Sequence, residues 1–563
     1  MPLSSSSDVS SSSLPQDSST LAPTLEKLQF TLLEDEKSYE VKASSEDIEG
    51  AVVIPASYQG LPVTHLHDYA FLSCKKITSV DIPSTIVHID SAAFLFDELL
   101  EAVNVDPENA DYSSYDGALL DKEQSKFYFC PAGKKGEYSI PDSVLRVFDM
   151  AFSDCTKLTA VNIPASVTRI GDDAFNECHS LLSLNVDKAS RSFSSVEGVL
   201  FNKTQTLLIR CPPGKQGAYR APNSVETIEQ SAFEECRFLT SIELPNGLSI
   251  IRKFAFLRCF SLASIQLPDT LYSIEQCAFK ECIAISSIRI PASVESLDTS
   301  AFEYCSALEE INVDAGNQHY SSKQGVLLNE GGTELLLCPA GKQGAYTIPD
   351  SVTSILNWSF DNCDKLTSVN IPASVNKIGD RAFDVCLAIT AINVAEENAF
   401  YSSMDGVLFN KDATALLLCP SGHGGDYVVP DTVTALQQGC FDSCGLLESI
   451  TLPEGITALP MDAFFQCEKL LRVALPSTLL SIGEAAFYAC KSLPSITLPA
   501  SLTEIGSMAF EGCKVLESIT FLGTKAQWNA INFLEVDWAS GVPATSVSCS
   551  DGEVPIVASG EEE

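Results

Sequence analysis

The stretch Phe-x-x-Cys recurs in one periodic series of thirteen copies from Phe71-Leu-Ser-Cys74 to Phe510-Glu-Gly-Cys513, and successive phenylalanines of the series, Phe94 included, are 23 or 58 residues apart. Phe94 belongs to the same series, with Asp97 where the cysteine would stand. A fixed period of this length is the mark of a solenoid, because a unit so short cannot bury its apolar side chains except against copies of itself. The period therefore overrides the several globular domains that 563 residues would otherwise suggest.

One unit can be read between Ser153 and Phe175. Leu158, Val161 and Ile163 mark a short strand with an alternating pattern. Pro164 and Ala165 turn the chain, and Ser166 to Ile170 reads as a second extended piece. Gly171 and Asp172 break it. Asp172 or Asp173 is then predicted to cap a short helix carrying Ala174, Phe175 and Cys178. Stacked copies would lie about 4.8 Å apart where their strands pair.

This pattern resembles the BspA-like, or Treponema-type, leucine-rich repeats. Their consensus, close to L-x-x-I-x-I-P-x-S-V-x-x-I-x-x-x-A-F-x-x-C, is matched at nearly every defined position from Leu366 to Cys386. The resemblance runs from about residue 28 to about residue 550. It implies a binding or adhesion solenoid, often on a cell surface, with no catalytic residues and no cofactor. The predicted fold class is α/β and strand-dominated: a leucine-rich-repeat solenoid of 23-residue units with four 35-residue β-hairpin insertions.

Those insertions account for the 58-residue steps. They run Asp106 to Ile140, Asp187 to Ala221, Asp314 to Ile348 and Ala395 to Val429, and share one plan. An aromatic (Tyr112, Phe193, Tyr320, Tyr401) precedes Ser-Ser, and a glycine turn such as Asp116-Gly117 follows. A strand, a Cys-Pro, a Gly-rich loop and a last strand return the chain to the stack. Each insertion reads as a hairpin whose last strand adds a rung. A 208-residue offset relates Phe71 to Phe279 and Cys130 to Cys338, so the chain carries an internal duplication.

The expected organisation is a Ser-rich disordered tail over residues 1–24 and an N-terminal β cap over 25–64. The solenoid follows over 65–521, then a closing segment over 522–550 containing Trp528 and Trp538, and an acidic tail over 551–563. No apolar run is long enough to span a membrane. Residues Met1 to Asp8 lack the basic and apolar stretches of a secretory signal. Localisation is left between the cell surface or secretion, which the resemblance favours, and the cell interior.

Charge narrows the partners. A net charge of −39 argues against nucleic acid and against anionic membrane surfaces. Of the 20 cysteines, thirteen sit in Phe-x-x-Cys and four in Cys-Pro, so they are one or two sites copied along the stack. Buried thiols are the expected reading, with no disulfide framework and no zinc spacing. The pair His65 and His67 lacks a third ligand in sequence. The Gly-Lys loops after Pro131 and Pro339 lack the Ser or Thr and the helix of a phosphate cradle. The acidic run from Asp106 to Asp111 reads as turn chemistry rather than a calcium loop.

The outward positions of the first strand are the candidate ligand-binding face. They form a ribbon of small polar groups in which Asn162, Asn185, Glu243, Asn312 and Asn370 recur and Arg289 and Arg472 stand out. Tyr112, Tyr320 and Tyr401 are further candidates, against the alternative that they pack within their own hairpins. The reading is a non-enzymatic surface for a protein or glycoprotein ligand, in adhesion or in host or matrix recognition. The alternative is an intracellular interaction scaffold. No metal site is expected.

Overall fold

The computed structural model describes residues 25–34, 36–90, 92–535 and 537–556. The predicted Ser-rich tail and residues 557–563 of the acidic tail lie outside them. The chain divides into two units. One holds the described residues up to Gly217 together with Thr227–Phe238; the other holds Ala218–Glu226 and the described residues from Leu239 onward. Each unit is a strand-dominated solenoid of stacked coils.

In the first unit, the strand Leu158–Ile163 pairs in parallel with Gly136–Ser139 before it and Ser183–Val186 after it. Val161 faces Leu184, so the register equals the sequence period. The extended piece after Pro164 shrinks to the two-residue strand Arg169–Ile170, paired in parallel with Arg146–Val147 in a second sheet. Leu158, Val161, Ile163 and Val167 point inward and are buried, as the alternation requires.

The third side of the coil corrects the sequence reading. No helix carries Ala174, Phe175 and Cys178; the segment is a run of turns. Asp173 and Glu177, two residues before and two after Phe175, take left-handed backbone angles of φ 53° and 57°. Met150 and Asp154 do the same around Phe152, and Phe254 and Arg258 around Phe256. A helix would satisfy its amides within the segment. Here they go to the neighbouring coil: Met150 donates to the Asp172 carbonyl (3.1 Å), Phe152 to Ala174 (2.8 Å) and Asp154 to Asn176 (3.1 Å). Left-handed non-glycine residues cost about 1 kcal/mol each, and this third ladder of backbone bonds offsets that cost. Among the described residues a 3-10 turn forms only around Phe302, Thr299–Phe302, capped by the Asp298 carboxylate on the Ser300 amide.

Inside the turns the phenylalanines stack. Phe256 and Phe279 lie 4.9 Å apart with rings 2° from parallel, and Phe487 and Phe510 5.1 Å apart at 7°. Cysteines of the Phe-x-x-Cys series serve as donors as well as fillers. Cys178 Sγ donates to the Phe152 carbonyl (3.0 Å), Cys282 to Phe256 (3.1 Å) and Cys386 to Phe360 (2.9 Å). All 20 cysteines are free thiols. Burial raises the thiols of Cys74, up to about 12, and of Cys178 and Cys386, so these keep the proton they donate.

Each insertion supplies a hairpin and then both sheets of a rung. Tyr112–Tyr115 and Ala118–Asp121 form the hairpin through Asp116 and Gly117, both at positive φ. A side chain on Gly117 would meet the Glu101 carbonyl oxygen at 2.9 Å, so that turn requires glycine. Lys126–Phe129 pairs antiparallel with the hairpin and parallel with Arg146–Val147, entering the second sheet. Gly136–Ser139 enters the first sheet, the added rung expected from sequence. Phe127, three residues before Cys130 but outside the 23- and 58-residue spacing, stacks on Phe152 at 4.8 Å and fills the phenylalanine position of that rung.

The Ser-Ser pair closes the join. Ser113 Oγ donates to the Asp121 carbonyl (2.7 Å), and Ser114 Oγ accepts from the Val105 amide (3.2 Å) at the end of a first-sheet strand. Hairpins in the second unit, Tyr320–Lys323 with Val326–Asn329 and Tyr401–Met404 with Val407–Asn410, repeat this geometry.

At the N-terminal end of the first unit, Leu28–Leu32 pairs antiparallel with Tyr39–Ala43, and Glu49–Val53 pairs parallel with Lys76–Ile82. At the C-terminal end of the second unit, a one-turn helix, Lys525–Trp528, starts from a Thr524–Gln527 capping box. Trp538 packs on Phe510 at 6.0 Å, Trp528 on Phe521 at 5.3 Å, and the two indoles lie 5.8 Å apart.

Candidate ligand-binding surface

The outward residues of the first sheet are positioned by the parallel register alone, which sets every copy beside the next. Asn185 Nδ2 donates to Asn162 Oδ1 (3.0 Å), and Asn162 Nδ2 donates to Glu137 Oε1 (2.6 Å) and Ser139 Oγ (2.9 Å). In the second unit Asn393 Nδ2 donates to Asn370 Oδ1 (3.0 Å) and Asn370 Nδ2 to Thr347 Oγ1 (2.9 Å). These are amide ladders held in one orientation, half-buried at Asn162 and Asn370 and exposed at Asn185 and Asn393.

Arg289 and Asn312 face one another across adjacent strands, Ser287–Ile290 and Glu310–Val313. Arg289 does not stand alone. Its guanidinium donates to Asp269 (2.7 Å) and, through two nitrogens, to both carboxylate oxygens of Asp314. Those hydrogen bonds, Asp269 first, raise its pKa further. Asn312 Nδ2 donates to Glu310 (3.2 Å). Arg472 is the looser of the two arginines, 3.7 Å from Asp426, with both side chains mostly exposed. Glu243 pairs with Arg220 at 3.3 Å. Asp269, Asp314 and Asp426 were not singled out in sequence, although each lies 20 to 46 residues from its arginine at an offset that the stacking makes adjacent.

The three candidate tyrosines are not on this face. Tyr112 Oη accepts from the Ile89 amide (3.1 Å), Tyr320 from Leu297 (3.0 Å) and Tyr401 from Ile378 (3.1 Å). Each hydroxyl closes off an amide 23 residues upstream, in the rung next to the hairpin. A buried asparagine positions each of them. Asn398 donates to the Pro372 (2.9 Å) and Val375 (2.8 Å) carbonyls and accepts from the Phe400 (2.8 Å) and Tyr401 (2.9 Å) amides. Asn109 and Asn317 make the same four bonds.

The Gly-Lys loops also serve the hairpins. Lys134 Nζ reaches Asp116 (3.0 Å), and Lys215 and Lys342 reach the Glu197 and Gln324 carbonyls (2.7 and 2.5 Å). The run from Asp106 makes an Asx turn, its carboxylate accepting from the Glu108 amide (2.8 Å). His65 lies against His88, ring centroids 5.4 Å apart, while His67 Nδ1 contacts the Asp68 carbonyl. Among the described residues, one group of three metal-ligating side chains converges within 4.8 Å: Glu177, His179 and Glu235.

The family model for the BspA type leucine rich repeat region matches in six copies over residues 55–115, 122–212, 218–324, 342–412 and 425–534. The chain belongs to this family. Among curated proteins none matches it significantly. Solved structures similar to this BspA-type chain include a leucine rich cell surface protein from Faecalibacterium prausnitzii A2-165. That protein is 24% identical, with 90% of this chain and 96% of that one covered and a TM-score of 0.31. A leucine-rich repeat protein from Eubacterium ventriosum ATCC 27560 is 17% identical, over 94% and 97%, with a TM-score of 0.35. The pneumococcal vaccine antigen PcpA is 19% identical, over 78% and 85%, with a TM-score of 0.33. At these scores the family model and the coil geometry carry the assignment. Leucine-rich repeat proteins are typically non-enzymatic interaction scaffolds, using the extended surface that stacking creates. Among the described residues no helix is long and apolar enough to cross a membrane.

Proposed function

We propose that this BspA-type chain binds a protein or glycoprotein ligand through the outward face of its first sheets, in adhesion or in host or matrix recognition at a cell surface. The amide ladders carry this reading. Asn185 and Asn393 each commit one N–H to the ladder below and hold the rest of the amide toward solvent. An amide held in one rotamer loses little freedom on binding, and it suits the hydroxyls of a glycan or the backbone of an extended peptide. The strongly acidic composition favours ligands that carry positive charge. Arg472, with its long and mostly solvated contact to Asp426, is the cation on this face with the most freedom to turn to a carboxylate or sialylated ligand.

The test is capture from extracellular-matrix and cytosolic extracts side by side, followed by surface plasmon resonance with the purified partner. Saturable binding of a matrix protein or glycoprotein, weakened by the double variant N185A/N393A, is the expected result. Binding to cytosolic proteins alone would replace this reading with the intracellular scaffold. Binding to a matrix ligand that is indifferent to the asparagines would place the surface elsewhere.

A further inference from the structure

We propose that Glu177, His179 and Glu235 form a binding site for one first-row divalent transition ion of the zinc type. Two carboxylates and an imidazole converge here, with their ligand atoms within 4.8 Å of one another. Glu177 Oε2 lies 2.9 Å from His179 Nε2. Ligands about 2.0–2.2 Å from a zinc ion lie about 3–4 Å from each other, so side-chain adjustments of under about an ångström close this group around an ion.

Among the described residues the fold builds this group at one place. Glu177 and Glu235 stand two residues after Phe175 and Phe233, the phenylalanines that flank the second insertion. At the other insertions the same two positions hold Phe96 and Asp154, Tyr304 and Asn362, and Val385 and Ser443. Between Phe175 and Phe233 the insertion contributes the tight corner Cys211-Pro212-Pro213-Gly214, bonded to its neighbours through Cys211 N to the Ala232 carbonyl and Gly214 N to the Leu181 carbonyl.

Two features separate this group from an ordinary surface cluster. The Glu235 side chain has no solvent exposure, so an ion held there would be shielded from water on that side. The His179 side chain is 30% exposed and turns Nε2 to Glu177, while its buried Nδ1 has no hydrogen-bond partner, so the ring is free to present either nitrogen. Arg237, 37% exposed, pairs with Glu235 through Nε. It is the competitor that an ion would displace or share with. One nitrogen and two carboxylates exclude calcium and magnesium as the preferred guests, since those take all-oxygen sets.

The experiment is isothermal titration of the full chain, freed of metal with a chelator, with zinc chloride. Circular dichroism on each variant checks the fold. The expected result is one strong equivalent in the wild type, weakened at least about tenfold by H179Q and by E177Q. R237Q is expected to bind zinc as tightly or more tightly, because it removes the competing cation. H88Q, which breaks the His65–His88 pair, is expected to leave binding unchanged. No strong equivalent in the wild type overturns the proposal and leaves a closed ion-pair network. So does binding that survives H179Q, whether at His65–His88 or at the partly exposed Cys549.

Discussion

Asp97 is where the repeat breaks its own rule, and the break has a measurable cost. It stands in the cysteine position of its coil, has no solvent exposure, and neither carboxyl oxygen finds a hydrogen-bond partner. Burial pushes its pKa from 3.8 up to about 9. The folded first unit therefore holds Asp97 as the neutral acid, which retains a donor as the thiols do. The unfolded chain ionises near pH 4. Below that, both states are protonated and the group costs nothing through linkage. Above it, the folded state binds the extra proton, and stability falls by about 1.4 kcal/mol per pH unit until the folded pKa is reached. At pH 7 the loss is on the order of 4 kcal/mol.

The variant Asp97→Asn removes the titration and keeps the shape, and Asp97→Cys restores the repeat. Thermal unfolding of all three proteins at pH 5, 6.5 and 8 is the assay. The wild type is expected to fall behind Asp97→Asn by about 4 kcal/mol between pH 5 and pH 8, roughly 10 °C for a unit of this size. Asp97→Cys is expected to follow Asp97→Asn over this range, because a buried thiol does not titrate there. Parallel pH profiles for wild type and Asp97→Asn would refute the argument, since they would mean that Asp97 is solvated or paired in the folded protein.

Other perturbations read the remaining devices. Phe193 occupies the place of Tyr112, Tyr320 and Tyr401 but has no hydroxyl for the Ile170 amide 23 residues upstream; Phe193→Tyr is expected to stabilise by about 1 kcal/mol in denaturant unfolding. Asn398→Ala strips four hydrogen bonds, two of them buried, and is expected to cost about 3 kcal/mol, with hydrogen exchange rising at Phe400 and Tyr401. Cys386→Ala leaves the Phe360 carbonyl without its thiol donor and opens a small void, for a loss of about 1–2 kcal/mol in the same assay. Arg289→Ala is expected to change stability by under about 1 kcal/mol despite its two aspartates, because the pairs are largely solvated.

The period of 23, the inward Leu, Val, Ile and Phe, and the insertion point were legible in the sequence because they are local and repeated. Any coil that buries those side chains must stack on its copies. The Gly117 turn was legible for the same reason, since a hairpin of two residues with positive φ is a short-range demand. The turn around Phe175 was not. Asp172, Asp173 and the following residues satisfy a helix pattern, and only the neighbouring coil offers the carbonyls that make turns the better solution. The tyrosines failed as surface candidates on the same ground: the amide each one serves lies 23 residues away and is adjacent only after stacking. Glu177 and His179 lie 58 and 56 residues before Glu235 in sequence, and the three side chains come within 4.8 Å of one another only in the folded unit. Sequence alone determined which side chains go inside and how often; the stacked structure decided what every polar group left over would find beside it, because those partners come from other coils.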